Sequence, residues 1–273
     1  KIQTYTPETM TLNSSDEDFM IKDGLWKGYN LYQLYEKAYT PYEWHHELFK
    51  FARSIGITIF STPFDESAVN LLEELNTPAY KIASSEIVNI KLLREIASKK
   101  KPMIISTGMS DLIDVKEALN ICAMEGNKKV ILLQCGAIYP IPADQVNLNV
   151  LSTYKKLYSG PIGFSDHTLG FAAAISAVAL GCVVIEKHFT LDNNFSKFRD
   201  HELSLNPKDM THLIKLINEI LESQGKKKKI ITKNENLNYY QMRRSYYLKN
   251  NLAKNQSITA NDLVFKRPRI NKS

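Results

Sequence analysis

The sequence predicts a parallel α/β fold. Short runs rich in β-branched residues alternate with amphipathic helical stretches over most of the 273 residues. Such alternation is typical of parallel strands joined by helices that cover the sheet. The composition, with 44% hydrophobic and 23% charged residues, is that of a globular protein with a sizeable core.

Seven runs have the length and composition of buried strands. They are residues 1–4, 57–61, 79–84, 102–107, 130–135, 161–166 and 183–188. Helical patterns lie between most of them, at residues 41–54, 65–75, 89–99, 111–125, 147–158 and 171–180. A last helix is predicted at 207–223, where Met210, Leu213, Ile214, Ile217 and Leu221 recur at the spacing of one helix face.

The strand count favours a closed barrel that lacks one unit. A (β/α)8 TIM barrel needs eight strands, and this chain begins with Lys rather than Met inside a strand-like run. We therefore interpret the fold as a TIM barrel without its first βα unit. The alternative is an open doubly wound sheet of seven strands. That fold usually carries a Gly-rich phosphate-binding turn, and neither GxGxxG nor a Walker motif occurs in the sequence.

We expect the chain to contain a barrel domain over residues 1–223, a linker over 224–240 and the start of a small β-rich domain over 241–273. The linker contains the lysine run at 226–229 in a polar context. Residues 5–40, rich in Tyr, Asp, Asn and Gly, are expected to be an irregular insertion. An insertion after the carboxyl end of a strand belongs on the active-site face.

Charge, cysteines and hydropathy narrow the class of protein. The net charge of +6 lies largely in the lysine run and the tail, without a nucleic-acid reader motif. No run approaches the ~18 apolar residues of a membrane helix, and no signal peptide opens the chain. The three cysteines form no CxxC pair. We expect a cytoplasmic protein with buried free thiols that binds small molecules, not nucleic acid or membrane.

Hydroxyls and lysines cluster where the predicted strands end. In a parallel barrel these side chains point into the active site. Lysine with several short hydroxyl donors suits a phosphate or carboxylate. The alternative is that each hydroxyl caps the helix that follows. The residues in question are Thr62, Lys81, Ser84, Glu86, Ser106, Thr107 and Ser165.

His167 and His188 end two successive predicted strands. Two neighbouring imidazoles can bind a metal with water or substrate as further ligands, although a single strand-end His is more often structural. Asp166 is expected to orient the His167 ring. The other histidines, His45, His46 and His212, are expected on solvated helix faces. The loop after the last strand offers substrate contacts at Asp192, Arg199, Asp200 and His201.

Eight segments together resemble the sialic acid synthase family and span nearly the whole chain. In order they are KIQTYTPETMTLNS, STPFD, YKIASSEI, PMIISTGMS, IYPIP, GFSDHTLG, AVALG and IEKHFTLD. SDHT followed by EKHFTLD is highly specific. The first segment and GLWKGYNLYQLYEKAYTPYEWH look most like the pseudaminic acid synthase branch.

The resemblance implies an enzyme that condenses phosphoenolpyruvate with an amino-sugar aldehyde, here a 2,4-diacetamido-2,4,6-trideoxy sugar, to give pseudaminic acid and phosphate. A neuraminic or legionaminic acid synthase is the alternative within the family, and a truncated barrel that only binds ligand is the alternative outside it. The resemblance implies that phosphoenolpyruvate is held by Lys1, Thr62, Lys81, Ser84, Ser106 and Ser165. It implies a divalent metal at His167 and His188, with Mn2+ preferred and Mg2+ or Co2+ as alternatives.

It further implies that the sugar and proton-transfer region is lined by Gln3, Glu86, Tyr139 and Asp200, with Glu86 flanked by Lys81 as a proton carrier. The tail resembles the start of the family's antifreeze-like (SAF) domain, in which Arg267 reaches the sugar across a homodimer. Three features depart from the family. Its first strand, with a catalytic Glu, is absent from this sequence. Ala137 stands where relatives carry a polar residue, and FRD replaces GPD before the SLxP segment.

Overall fold

The structure, a computed structural model, describes residues 1–24, 26–195 and 199–270, without the side chains of Arg199 and Leu237. The chain forms two compact units, Lys1–Gln224 and Gly225–Ser273. None of the helices within those described ranges has the length and apolar character needed to cross a membrane.

The first unit contains a parallel sheet whose seven described strands follow chain order. The strands are β1 (Ile2–Thr4), β2 (Ser61–Pro63), β3 (Tyr80–Ile82), β4 (Met103–Ser106), β5 (Val130–Cys135), β6 (Ile162–Asp166) and β7 (Val184–Lys187). Each strand pairs in parallel with the next. The predicted parallel α/β class is confirmed.

The sheet is strongly curled. In a flat sheet with ordinary strand spacing, β1 and β7 would lie about 29 Å apart. Instead, Lys1 Nζ, from the residue just before β1, lies 3.0 Å from Glu186 Oε2 on β7. The two edge strands therefore approach each other around a concave face, although the register gives no hydrogen bonds between them.

The first unit contains ten α-helices within the described residues. They are α1 (Pro7–Met10), α2 (Leu31–Ala38), α3 (Tyr42–Ser54), α4 (Glu66–Glu74), α5 (Ile90–Ser98), α6 (Leu112–Met124), α7 (Val150–Leu157), α8 (Ala172–Ala179), α9 (Arg199–Leu203) and α10 (Pro207–Gln224). The seven helices predicted from residue 41 onward are all present, with bounds that shift by at most three residues. Outward strand residues such as Tyr80, Ile82 and Met103 are fully buried against them.

A buried polar network fixes β1 to its neighbours, and we call it the His45 network. His45 Nδ1 lies 3.0 Å from the Pro41 carbonyl oxygen, and Nε2 lies 2.8 Å from Thr4 Oγ1. Thr4 Oγ1 is 2.6 Å from Ser61 Oγ, which donates to the Ile2 carbonyl at 3.0 Å. His45 is 0% exposed. The expectation that it lies on a solvated face is wrong, because its ring points from α3 to the sheet.

Two other expectations about the chain's organisation are wrong. Residues 5–40 are not wholly irregular, because α1 and α2 lie within them, and Asn30 caps α2 by accepting from Gln33 N. The strand expected at 57–61 is displaced to Ser61–Pro63.

The second unit contains a short antiparallel β-pair. Its elements are α11 (Lys233–Met242), β8 (Ser245–Leu248) and β9 (Leu263–Lys266). The expected linker at 224–240 therefore contains most of a helix. Thr232 caps this helix in a capping box with Glu235.

Candidate active site

The strand register places polar side chains on the concave face. Lys1 and Glu186 meet there, and Gln3 follows Lys1 by two residues on the same side of β1. Gln3 pairs with Thr62, and Ser165 pairs with Glu186. Because paired residues of parallel strands point to the same side, Thr62 and Ser165 also face the interior.

Lys81 and Glu186 form the centre of a charged cluster. Lys81 Nζ donates to Ser106 Oγ at 2.7 Å and lies 3.6 Å from Glu186 Oε1. Ser165 Oγ donates to the same carboxylate oxygen at 2.7 Å, and Lys1 contacts the other oxygen. Lys81 is only 3% exposed. Two ammonium groups and the Ser165 hydroxyl therefore converge on one carboxylate, and the Ser106 hydroxyl bonds Lys81 beside it.

Burial and charge set the ionisation of this cluster. Burial lowers the pKa of Lys81 to about 8, although the Glu186 carboxylate opposes the shift. Burial alone would raise the pKa of Glu186, but the ammonium groups of Lys81 and Lys1 outweigh it and lower that pKa to about 2. Near pH 7 the cluster thus carries two positive charges and one negative charge, which suits a small anion.

The strand-end hydroxyls are not the caps of the helices that follow β2, β3 and β4. Asp65, Asn89 and Asp111 accept the first-turn amide hydrogens of α4, α5 and α6. The capping interpretation is therefore wrong for these helices. Ser106 instead bonds Lys81 inside the sheet.

Ser84 lies in a close contact between two loops at the same rim. Its Oγ accepts the Gly108 amide hydrogen at 2.9 Å. A Cβ on Gly108 would lie 2.9 Å from that oxygen and 3.3 Å from Ala137 Cβ. A side chain at position 108 would crowd Ser84 and Ala137, so glycine favours the close approach of the loops after β3, β4 and β5.

The rings of His167 and His188 lie side by side beyond β6 and β7. Asp166 pairs with Lys187 in the register, so the residues that follow are neighbours, and their ring centroids are 5.2 Å apart. The Tyr139 ring lies 4.2 Å from His167 and 5.9 Å from His188. The structure brings the two imidazoles together as the sequence predicts.

The His167 ring is held in one tautomer. Its Nδ1 lies 2.7 Å from the Gly136 carbonyl oxygen, which can only accept, so Nδ1 carries the proton and Nε2 keeps its lone pair. Burial lowers the pKa of His167 to about 4. Burial also lowers the pKa of His188. Both rings are therefore neutral near pH 7, and neutral imidazole is the form that binds a metal.

Asp166 does not orient the His167 ring, contrary to expectation. Its carboxylate accepts from Lys187 Nζ at 2.8 Å and from the Thr168 amide at 2.8 Å. Asp166 and Lys187 are both almost fully buried. This ion pair joins β6 to β7 immediately before the two histidines, so it fixes the spacing of the strands that carry them.

The two imidazoles fit a divalent metal as a site with two protein ligands. The carboxylate of Asp200 is nearby, with Oδ2 3.9 Å from His188 Nδ1. Within the described ranges, no group of three or more His, Cys, Asp or Glu side chains is arranged to hold a metal ion. Water or substrate would fill the remaining coordination positions.

Glu86 and Lys81 do not form the expected pair. Glu86 lies in a short 3-10 turn after β3, where its carboxylate accepts from Asn89 Nδ2 at 3.0 Å. Lys81 is an inward-facing residue of β3 and faces Glu186 instead. Lys81 lies within β3, whereas Glu86 lies in the turn beyond its end.

Three further residues are predicted to contact the substrate, namely Arg267, His201 and Arg199. Arg267 is exposed immediately after β9, in the second unit. His201 Nδ1 lies 2.8 Å from Thr190 Oγ1, so this ring bonds within its own loop. The side chain of Arg199 lies outside the part of the chain that the structure describes.

Sequence reasoning gave no role to Glu186, which is the centre of the charged cluster. The signal was present, because Glu186 precedes His188 by two residues and residues two apart on a strand share a face. Ser165 and His167 have the same relation on β6. The Gly136 carbonyl, by contrast, carries no sequence signal.

Fold and site together define a class of protein. It is a curled parallel α/β protein whose strand ends combine a cationic, hydroxyl-rich pocket with two neutral imidazoles, an arrangement suited to an anionic substrate beside a divalent metal. The family model described as NeuB family matches residues 1–229. The chain belongs to the NeuB family.

Similar proteins agree with this assignment. The chain is 36% identical to the pseudaminic acid synthase of Helicobacter pylori, over 99% of this chain and 79% of that protein. It is 41% identical to the pseudaminic acid synthase of Campylobacter jejuni, over 82% of this chain, and spans 65% of that protein. The N-acetylneuraminic acid synthetase structure from Leptospira borgpetersenii matches with a TM-score of 0.71 and 31% identity, over 76% of this chain and 72% of that one.

Proposed function

We propose that the complete protein is a nonulosonic acid synthase that condenses phosphoenolpyruvate with a 2,4-diacetamido-2,4,6-trideoxy sugar aldehyde to give pseudaminic acid and phosphate. The observation that carries the proposal is the charged cluster of Lys1, Lys81 and Glu186 beside the neutral His167 and His188 rings. The similarity to two pseudaminic acid synthases supports this choice of sugar. Neuraminic acid as the product is the second candidate, supported by the similarity to the Leptospira synthetase. Legionaminic acid is a third product of the same chemistry, and a barrel that only binds ligand is the alternative of another class.

The charged cluster is proposed to hold phosphoenolpyruvate. Lys1 and Lys81 supply positive charge, and the hydroxyls of Ser106 and Ser165 supply short donors to the same space. Thr62 lies on the same inner face, and Ser84 lies at the rim. An enol phosphate fixed in this way would present its C3 carbon to a partner at short range.

The neighbouring imidazoles are proposed to hold the metal. His167 and His188 would bind a divalent ion, Mn2+ by preference and Mg2+ or Co2+ as alternatives, which polarises the aldehyde carbonyl when bound. Tyr139 packs on both rings and would border the sugar. Gln3 and Asp200 are proposed to bond sugar hydroxyl or amide groups.

The reaction needs water as its only reactant besides phosphoenolpyruvate and the sugar. C3 of phosphoenolpyruvate forms a bond to the aldehyde carbon, whose oxygen takes up a proton. Water adds to the cationic C2 and gives up a proton, for which Glu86 is the proposed carrier. The bond from C2 to the phosphate oxygen then breaks, and the C2 hydroxyl passes its proton to the leaving phosphate, which leaves a ketone and inorganic phosphate.

We also propose how the rest of the protein is organised. An additional strand would close a (β/α)8 barrel between β7 and β1, where Lys1 and Glu186 already meet. Residues 241–273 would begin an SAF domain, and the antiparallel pair of β8 and β9 supports a β-rich module. Arg267 would reach the sugar bound by the partner in a homodimer.

The proposal is tested with the full-length protein, phosphoenolpyruvate, Mn2+ and a panel of 2-acetamido and 2,4-diacetamido sugars. Phosphate release with only the 2,4-diacetamido-2,4,6-trideoxy altrose would support the pseudaminic assignment. Release with only N-acetylmannosamine would select the neuraminic acid candidate. No release with any sugar, together with retained phosphoenolpyruvate binding, would select the ligand-binding alternative.

A further inference from the structure

Three aromatic side chains pack together on the β1–β2 side of the concave face, and we call them the aromatic wall. The Tyr5 ring centroid lies 5.7 Å from that of Tyr35 and 5.4 Å from that of Phe64, in both cases edge to face. Tyr5 is only 3% exposed. Such contacts fix ring orientation and add stability beyond buried area, so the wall is a defined surface.

The strand register directs the wall toward the mouth of the site. Gln3 lies in β1, and Lys1 and Tyr5 lie just before and just after it. Because every second residue of a strand points to the same side, all three face the inner side of the sheet. Gln3 pairs with Thr62, and Phe64 follows Thr62 by two residues. Tyr5 and Phe64 therefore lie one step beyond two residues assigned to substrate, toward the carboxyl ends of the strands.

Tyr35 reaches this wall from outside the sheet. It lies on α2, within residues 5–40, and packs edge to face on Tyr5. Its surroundings are negative. Burial raises the pKa of Tyr35, and the Glu86 carboxylate adds to the shift. Burial, then Tyr35 and Asp200, raise the pKa of Tyr5 to about 12.

Glu86 thus acts on Tyr35, and Asp200 acts on Tyr5, through their negative charge. None of the cation–ring contacts found among the described residues involves its three rings. A neutral aromatic surface near carboxylates favours an apolar group and disfavours a phosphate.

We infer that Tyr35 is a specificity-determining residue, because the aromatic wall packs on a methyl group of the sugar. That methyl is the C6 carbon of a 6-deoxy sugar or the end of an acetamido group. The inference rests on the proposed synthase function and adds to it the feature of the sugar that the site selects. One methyl group in such a pocket is worth about 10- to 200-fold in discrimination.

The test measures kcat/KM of the full-length protein for two sugar pairs in the presence of Mn2+. One pair differs only in carrying a C6 methyl or a C6 hydroxymethyl group, and the other in carrying acetamido or formamido groups. Wild type should prefer the methyl-bearing member of one pair at least tenfold, and that pair identifies the methyl. Tyr35→Ala should reduce this ratio to below about threefold, and Tyr35→Phe should retain it, because the ring face makes the contact. The KM for phosphoenolpyruvate should stay within about twofold of wild type, since the charged cluster is intact.

The matched control is Tyr32→Ala on the same helix, because the Tyr32 hydroxyl bonds Glu8 and its ring is not among the contacts of the wall. This variant should keep the wild-type ratio. Should Tyr35→Ala fail to fold, Tyr35→Leu, which keeps an apolar but shorter side chain, should give a lowered ratio. An unchanged ratio on both pairs in a folded Tyr35 variant that still releases phosphate would overturn the inference and leave the synthase function intact. Absence of phosphate release by wild type with every sugar would remove the synthase function and the inference with it.

Discussion

Replacement of His45 by alanine should destabilise the first unit by loosening β1. The His45 network connects α3 through Thr4 to Ser61 on β2. Strand β1 lies at one edge of the sheet and pairs only with β2 among the described strands. It also carries Lys1 into the charged cluster. The network thus supports both the fold and one side of the site.

The size of the effect follows from the contacts that are lost. Alanine removes the bonds of His45 to the Thr4 hydroxyl and the Pro41 carbonyl and leaves a cavity where the buried ring lay, although Thr4 keeps Ser61 and the Pro41 carbonyl keeps the Trp44 amide as partners. Each lost hydrogen bond is worth about 0.5–1.5 kcal/mol, and the cavity left by a deleted buried side chain adds to the cost. Partial relaxation gives an expected loss of about 2–4 kcal/mol in the free energy of unfolding. For a unit of this size that corresponds to a melting temperature lower by roughly 5–15 °C.

Thermal unfolding of the full-length protein measures this loss, with His46→Ala as the control. His46 is the next residue of the same helix and is exposed, so its replacement should cost less than about 0.5 kcal/mol. His45→Gln should recover part of the stability, because its amide can bond Thr4. A melting temperature for His45→Ala within about 2 °C of that of His46→Ala would refute the role of the network.

Three more predictions concern the site. The kcat/KM for phosphoenolpyruvate should fall as pH rises through about 8, because the free protein then loses the Lys81 proton. Glu186→Gln should move this fall to lower pH, since the Glu186 charge raises the Lys81 pKa. The pH–rate profiles of the two proteins measure the difference. Lys187→Met should cost about 3–5 kcal/mol in thermal unfolding, because Asp166 is left buried without its partner. His188→Ala should abolish metal-dependent phosphate release and weaken Mn2+ binding at least about tenfold in calorimetric titration, because one of two protein ligands is lost.

The sequence predicts those features that depend on local pattern. The helices from residue 41 onward follow from apolar spacing, and six of the seven strands follow from β-branched runs. The juxtaposition of His167 and His188 follows from their equivalent places at the ends of successive strands. Helix α2 escaped prediction because its sequence, LYQLYEKA, carries only a short apolar stripe, and its Asn30 cap lies within a polar context.

The features that escape prediction depend on contacts between distant residues. Nothing near Lys1 indicates that it meets Glu186, which is 185 positions later, since that contact exists only because the sheet curls. His45 looks like a solvated helix residue until Thr4 is placed beside it. The Gly136 carbonyl that fixes the His167 tautomer is a backbone group, so no residue type in the sequence indicates this contact.

The Glu186 carboxylate explains why the buried Lys81 side chain stays protonated and can bind an anion. Burial lowers the pKa of Lys81 to about 8 even though the Glu186 charge already opposes the shift. Without that carboxylate the Lys81 pKa would be lower still, and part of the protein would present a neutral amine to an incoming anion. The carboxylate repels an anionic substrate to some extent, yet it keeps Lys81 protonated and Ser165 oriented before binding. If Glu186→Gln left both the pH dependence of kcat/KM and the affinity for phosphoenolpyruvate unchanged, a group other than Glu186 would have to keep Lys81 protonated.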